Sequence, residues 1–210
     1  MKFLSIKNFS IIFLWLAHVS AFIGINVGYE DFFLPLSVYN LWFIFIILVA
    51  FYPIRTQAQI LLFLSIAVVG FFAEVLGVAS GKIFGEYAYG ENLGLKIADV
   101  PIIIGINWAI LSFVCTSLAN YVVTKSIYLK TILATGFMIL FDIFIEHSAP
   151  AFDFWKFELS PVPLQNYFSW FILALIFNYA VLKMNFKSDT KVSFHIYTAQ
   201  VLFFMLFYVF

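Results

Sequence analysis

Long apolar runs, broken by short polar or turn-forming stretches, dominate the chain. A membrane-spanning helix needs about 20 predominantly apolar residues. Seven stretches meet that length with soft boundaries: 9–28, 38–54, 57–79, 100–122, 129–148, 165–184 and 192–209. The second is short, and the break Tyr52-Pro53-Ile54-Arg55 predicts a tight hairpin into the third. Two connections are long, 80–99 and 149–164. The expected fold is all-α, a polytopic transmembrane bundle of about seven helices. Residues 1–210 are read as a single integral membrane domain.

Composition sharpens this reading. The chain is 64% hydrophobic and 10% charged, against about 25% charged in soluble domains, and its mean hydropathy is +1.05. A net charge of zero leaves no electrostatic case for nucleic acid. The lone Cys115 excludes a disulfide within the chain and metal clusters of the cysteine type. The basic, apolar start is read as a retained first helix, because its apolar part has spanning length and no clear cleavage site follows. If the N-terminus is cytoplasmic, that side carries Lys2, Lys7, Arg55, Lys125, Lys130, Lys183, Lys187 and Lys191. The other side carries Lys82, Lys96 and Lys156. The bias predicts a multi-pass cell (inner) membrane protein with its N-terminus inside. Both long loops then lie outside, and the acidic residues in the outer half of the membrane.

Those acids are the unusual feature. In FDIFIEHSAP, residues 141–150, Asp142 and Glu146 are four apart and share a helix face. Glu74 is a third acid at similar depth. Intramembrane carboxyls are costly and mark function by default; the competing reading places them at the headgroup level, simply solvated. His147 points about 100° away from Glu146 around the helix, so no metal site is expected. His18 and His195 are read as hydrogen-bonded packing residues.

The long loops are rich in aromatics. The first carries Phe84, Tyr87 and Tyr89, and the second Phe152, Phe154, Trp155 and Phe157, with Tyr167, Phe168 and Trp170 following. An interfacial aromatic belt would look similar. Two such loops beside buried acids point instead to a site for a flat, conjugated or cationic apolar guest. Gly77, Gly81 and Gly85 recur every four residues, a spacing that permits close helix packing. No P-loop or dinucleotide fingerprint is present.

The combination of Glu74, Gly81, FGEYAYG at 84–90, Leu93-Gly94, Val100-Pro101 and Trp108 resembles the carotenoid biosynthesis family of membrane proteins, which includes the carotenoid 1,2-hydratases. So does the later set: Asp142, Glu146, Ala149-Pro150, Asp153-Phe154-Trp155, Val162-Pro163, Gln165-Asn166-Tyr167 and Trp170. The resemblance is strongest over residues 60–185. It departs at Phe157, where the family commonly has Trp, and at His147-Ser148, where Pro often follows the second acid.

The resemblance implies hydration of the terminal 1,2 double bond of an acyclic carotenoid end group (gamma-carotene, lycopene or bisanhydrobacterioruberin), giving a tertiary alcohol without a cofactor. The guest would lie within the bilayer, with other carotenoid-pathway enzymes as partners. Site residues follow by position. Asp142, Glu146 and Glu74 are the acid–base candidates; Phe84, Tyr87, Tyr89, Trp108, Trp155, Asn166 and Trp170 are the substrate-binding candidates.

Chemistry fits these residue types. Alkene hydration needs a strong proton donor, and a carboxyl group kept from water holds its proton. An ionised partner stabilises the cation and orients the water. Aromatic faces stabilise the cation without trapping it. The alternatives are a non-catalytic transporter or a lipid- or carotenoid-binding protein, a structural subunit packed through the glycine row, and carotenoid end-group cyclisation, which also begins by protonating the alkene.

Overall fold

A computed structural model describes residues 5–52, 54, 56–185 and 188–209. Among them are seven helices long and apolar enough to cross a membrane. The first is α1 (Ile6–Asn26). The second is composite: α2 (Glu30–Phe33), a 3-10 turn at Leu34–Leu36, and α3 (Ser37–Phe51). It starts well before residue 38, where the hydrophobic pattern puts it. Pro35 cannot donate a helical hydrogen bond, so the helix tightens there rather than ending. The others are α4 (Gln57–Ser80), α5 (Ile102–Val122), α6 (Ile127–Ser148), α7 (Leu164–Lys183) and α8 (Thr190–Val209).

Local chemistry sets the ends. Ser5 and Ser126 accept hydrogen bonds from the first turns of α1 and α6, and Thr56 with Gln59 forms a reciprocal capping box on α4. Gly81, at φ +64°, ends α4 in the left-handed conformation that a side chain disfavours. Pro53 and Arg55 of the expected hairpin lie outside the described residues, as do Lys2 and Lys187 of the charge count.

Helix α5 is the axle of the bundle. Within its spanning window 89% of residues are buried, against 22–39% in the other spans. It carries no charge, and small residues along one face (Gly105, Ala109, Ser112, Cys115, Ala119) let a neighbour close in. At Gly105 a Cβ would lie 2.4 Å from the Ala67 carbonyl oxygen, so α4 and α5 meet backbone to backbone. Ser112 and Thr116 satisfy their hydroxyls on α5's own carbonyls. The peripheral helices turn residues such as Leu16, Phe72 and Ile176 outward, a surface that lipid solvates.

The two long loops meet. β1 (Tyr87–Tyr89) pairs antiparallel with β4 (Trp155–Phe157), in the register Tyr87 to Phe157 and Tyr89 to Trp155. A second small ribbon pairs β2 (Lys96–Ile97) with β3 (Val100–Pro101), and Ala98 and Asp99 at positive φ make its turn. The loops therefore share one end of the bundle, as the span count requires. At the opposite end Lys7 of α1 forms an ion pair with Asp189, which also caps α8 through the Val192 N–H at 3.1 Å.

Candidate active site

Strand periodicity builds the lid. Successive side chains alternate across a strand, so Tyr87 and Tyr89 face inward while Ala88 is exposed; opposite them Trp155 and Phe157 face inward while Lys156 is exposed. Cross-strand neighbours touch: Tyr87 and Phe157 have ring centroids 5.1 Å apart, Tyr89 and Trp155 6.0 Å. This aromatic ribbon covers the ends of α4, α5, α6 and α7.

Three carboxyl groups lie beneath it. Glu74, in the last turns of α4, accepts three hydrogen bonds. Tyr87 and Tyr89 donate to its Oε2 at 2.5 and 2.9 Å, and the Trp108 indole N–H donates to Oε1 at 3.0 Å. Burial, and next the Glu74 carboxyl, push both phenols well above their ordinary value, so they remain donors. Glu146, on α6, accepts from the Trp155 indole at 2.9 Å and from Asn166 Nδ2 at 3.1 Å. The same Asn166 nitrogen donates to Asp142 Oδ2 at 3.1 Å, tying the two acids of α6 to the first turn of α7. Asp142 is fully buried, and its Oδ1 has no hydrogen-bond partner. No Lys or Arg pairs with any of the three acids among the described residues.

Glu74 and Glu146 line a chamber of about 30 Å³. Phe84, Tyr87, Tyr89, Trp108, Trp155, Asn166 and Trp170 line it too. Asp142 does not reach the chamber wall and sits behind Glu146. Trp170, one turn after Asn166, stacks on Trp108 with centroids 4.0 Å apart. An apolar cavity of about 500 Å³ adjoins the chamber, within the range of small-molecule sites. Ile104, Asn107, Phe141, Ile145 and Trp155 line both. Its outer wall comes from α1, the 3-10 turn and α3, where Phe13, Leu16, Leu36 and Tyr39 line the cavity and are also exposed.

Residues 36–210 match the family described as carotenoid biosynthesis protein. The chain belongs to this family. It is also 28% identical over 147 residues to a bisanhydrobacterioruberin hydratase of Haloarcula japonica. That alignment covers 66% of this chain and 48% of the relative, so it spans about half the relative's length. No solved structure matches the chain. The family match takes in every acid and every aromatic residue of the chamber. Helix α1 lies outside it, so one wall of the apolar cavity comes from beyond the matched family region.

The structure thus brings together the residues that the family resemblance singled out, and it changes the reading of others. The glycine row does not pack one helix on another. A Cβ on Gly77 would strike Phe84 and the Tyr87 hydroxyl, while Gly81 and Gly85 supply positive φ in the loop. His147 packs on Tyr208, away from the acids. His195 accepts from the Trp15 indole at 3.1 Å, as a packing residue would. His18 bonds the Leu14 carbonyl at 2.8 Å and also lines the apolar cavity, beside Asn40 and Gln200. Asn40, Asn107 and Gln200 were not identified from the sequence. Single amides in apolar runs look alike there, and only the cavity walls distinguish them.

Proposed function

We propose that the protein is a carotenoid hydratase that adds water across the terminal 1,2 double bond of an acyclic end group. The observation that carries this reading is the pairing of two chambers. A water-sized space lined by Glu74 and Glu146 shares a wall with an apolar cavity whose far side is exposed. A cavity holds a water once it has about 10–15 Å³ of free volume and two to four polar partners. The chamber, at about 30 Å³, meets both conditions.

The end group enters along the apolar cavity, and the rest of the polyene stays between α1, α3 and lipid. The Asp142–Glu146 pair, bridged by Asn166, holds one proton, and Glu146 delivers it because it alone of the pair reaches the chamber. The alkene π electrons form the new C–H bond at C2, which leaves a tertiary cation at C1. The tyrosine and tryptophan faces around the chamber stabilise that cation. Glu74, held by three donors, is the carboxylate partner. Water forms the C–O bond at C1 and gives its proton to Glu74, and exchange through the chamber restores the starting state. The orientation that fits the lysine and arginine bias places this chamber in the outer half of the cell membrane.

Expression in a host that makes lycopene and gamma-carotene tests the reading. A new pigment heavier by one water, with an unchanged chromophore, is expected. Glu146→Gln should cut its formation by about 10²–10⁴-fold, the usual contribution of a positioned acid, with Asp142→Asn and Glu74→Gln also impaired. Full activity in all three variants, at normal membrane accumulation, would sink the mechanism. A product of unchanged mass would point to cyclisation, and proton-coupled uptake into vesicles to the transporter reading.

A further inference from the structure

We infer that Asn107 positions the attacking water, an assignment that rests on the hydratase reading above. Five residues line both the acid chamber and the apolar cavity. Ile104, Phe141 and Ile145 offer only hydrocarbon. The Trp155 indole is spent on Glu146. That leaves the Asn107 amide as the polar group on the shared wall without a partner. Its Oδ1 is enclosed and accepts no hydrogen bond. An amide left unpaired in apolar surroundings is costly, and packing alone does not explain it. A water in the chamber would satisfy it.

The position suits the chemistry. The cation carbon must come to rest where the apolar cavity meets the acid chamber, and Asn107 stands at that boundary. It directly precedes Trp108, whose indole fixes Glu74. A water held between the Asn107 carbonyl and the Glu74 carboxylate has one lone pair free for C1 and one proton directed at its acceptor. Protonation at C2 does not need Asn107; capture at C1 does. Without a held water, the cation returns a proton from carbon and becomes an alkene again.

Deuterated water separates the two steps. Membranes containing the full chain are supplied with lycopene in D₂O buffer, and both hydrated product and recovered carotenoid are analysed by mass spectrometry. Wild type should give hydrated product carrying one carbon-bound deuterium. Asn107→Leu should lower hydration by about 100-fold, the scale of a misplaced reactant, while deuterium accumulates in carotenoid that has gained no water. Asn107→Ser, which keeps a small polar group, should fall between them. The ratio of exchange to hydration does not depend on how much protein folds, so it is the decisive readout. A ratio unchanged in both variants overturns the assignment, as does full hydration by Asn107→Leu. Wild type that neither hydrates nor exchanges overturns the hydratase reading itself, and is told apart by the failure of the unaltered protein.

Discussion

Trp155 offers the most discriminating substitution, because its ring and its N–H do separate things. The ring faces Tyr89 across the β1–β4 ribbon, and the N–H donates to Glu146 Oε2 at 2.9 Å. Trp155→Phe keeps an aromatic face and removes only the donor. Glu146 then retains one side-chain donor, Asn166. A hydrogen bond to a charged group is worth about 1.5–3 kcal/mol, and a neutral one about 0.5–1.5 kcal/mol. At 1.4 kcal/mol per decade, a carboxylate that needs this bond in the rate-limiting step loses about 10- to 100-fold, and a neutral acid about 2- to 10-fold. Trp155→Ala removes the aromatic face as well, worth a further ~0.5–1.5 kcal/mol for a lost aromatic pair. Initial rates of hydrated pigment, normalised to membrane-inserted protein, give both numbers. The expected order is wild type above Phe above Ala. If Phe matched wild type while Ala failed, the ring alone would matter, and the hydrogen bond would have no part in holding the proton donor.

Three further outcomes are expected. Ala21, on α1, lines the apolar cavity; Ala21→Phe should block the guest and lower turnover without changing accumulation, and unchanged turnover would place the guest elsewhere. Tyr87 and Tyr89 titrate above the ordinary 10.0 because of burial first and Glu74 second. A raised phenol keeps its proton where a free tyrosine has lost it, so Tyr87→Phe should not shrink the tyrosinate absorbance step up to about pH 10; a smaller step would show that Tyr87 ionises there. For Asp189, partial burial acts upward, but Lys7 and the Val192 N–H outweigh it and hold the group below 3.8. Its contribution is therefore present above the unfolded value and lost as pH falls through the folded one. Asp189→Ala should cost about 1 kcal/mol in cap alone, or ~2–4 °C in Tm for a chain of this size, and the difference should shrink below about pH 4; a difference constant down to strongly acidic pH would refute the role of the charge.

Hydrophobic runs made the spans legible, since a bilayer demands helices of a fixed length and tolerates few alternatives. The composite second span was harder to see, because Pro35 and the acids Glu30 and Asp31 read as loop. The site divides along the same line. Asp142 and Glu146 stood out because carboxyls amid Phe and Ile are costly in a bilayer unless they serve a function or reach the headgroup level. Glu74 stood out beside them as a third acid at similar depth, whereas Asn166 and Trp108 needed the family resemblance. Asn107 left no signal at all. Its importance depends on which wall of α5 meets two cavities, and α5 is so thoroughly buried that hydrophobic periodicity does not mark one of its faces.

The division of labour between loops and helices suits the place where the proposed reaction would occur. The acids sit on helices, whose backbones are held by packing, so carboxyl positions are fixed to the tolerance of the bundle. Three of the five side-chain N–H and O–H donors that hold Glu74 and Glu146 come from the paired strands: Tyr87, Tyr89 and Trp155. The other two, Trp108 and Asn166, come from the helices. The ribbon is therefore more than a cover. It supplies most of the polar partners that make the buried glutamates tolerable, and in the proposed reaction its aromatic faces would keep bulk water from the cation. A variant that unpairs β1 from β4, such as proline at Ala88 or Lys156, should lose activity far more than stability, because the helices keep their own contacts while both glutamates lose the donors that come from the strands. Equal loss of the two would mean that the ribbon holds the bundle together, and that the acids owe their placement to it as much as to α4 and α6.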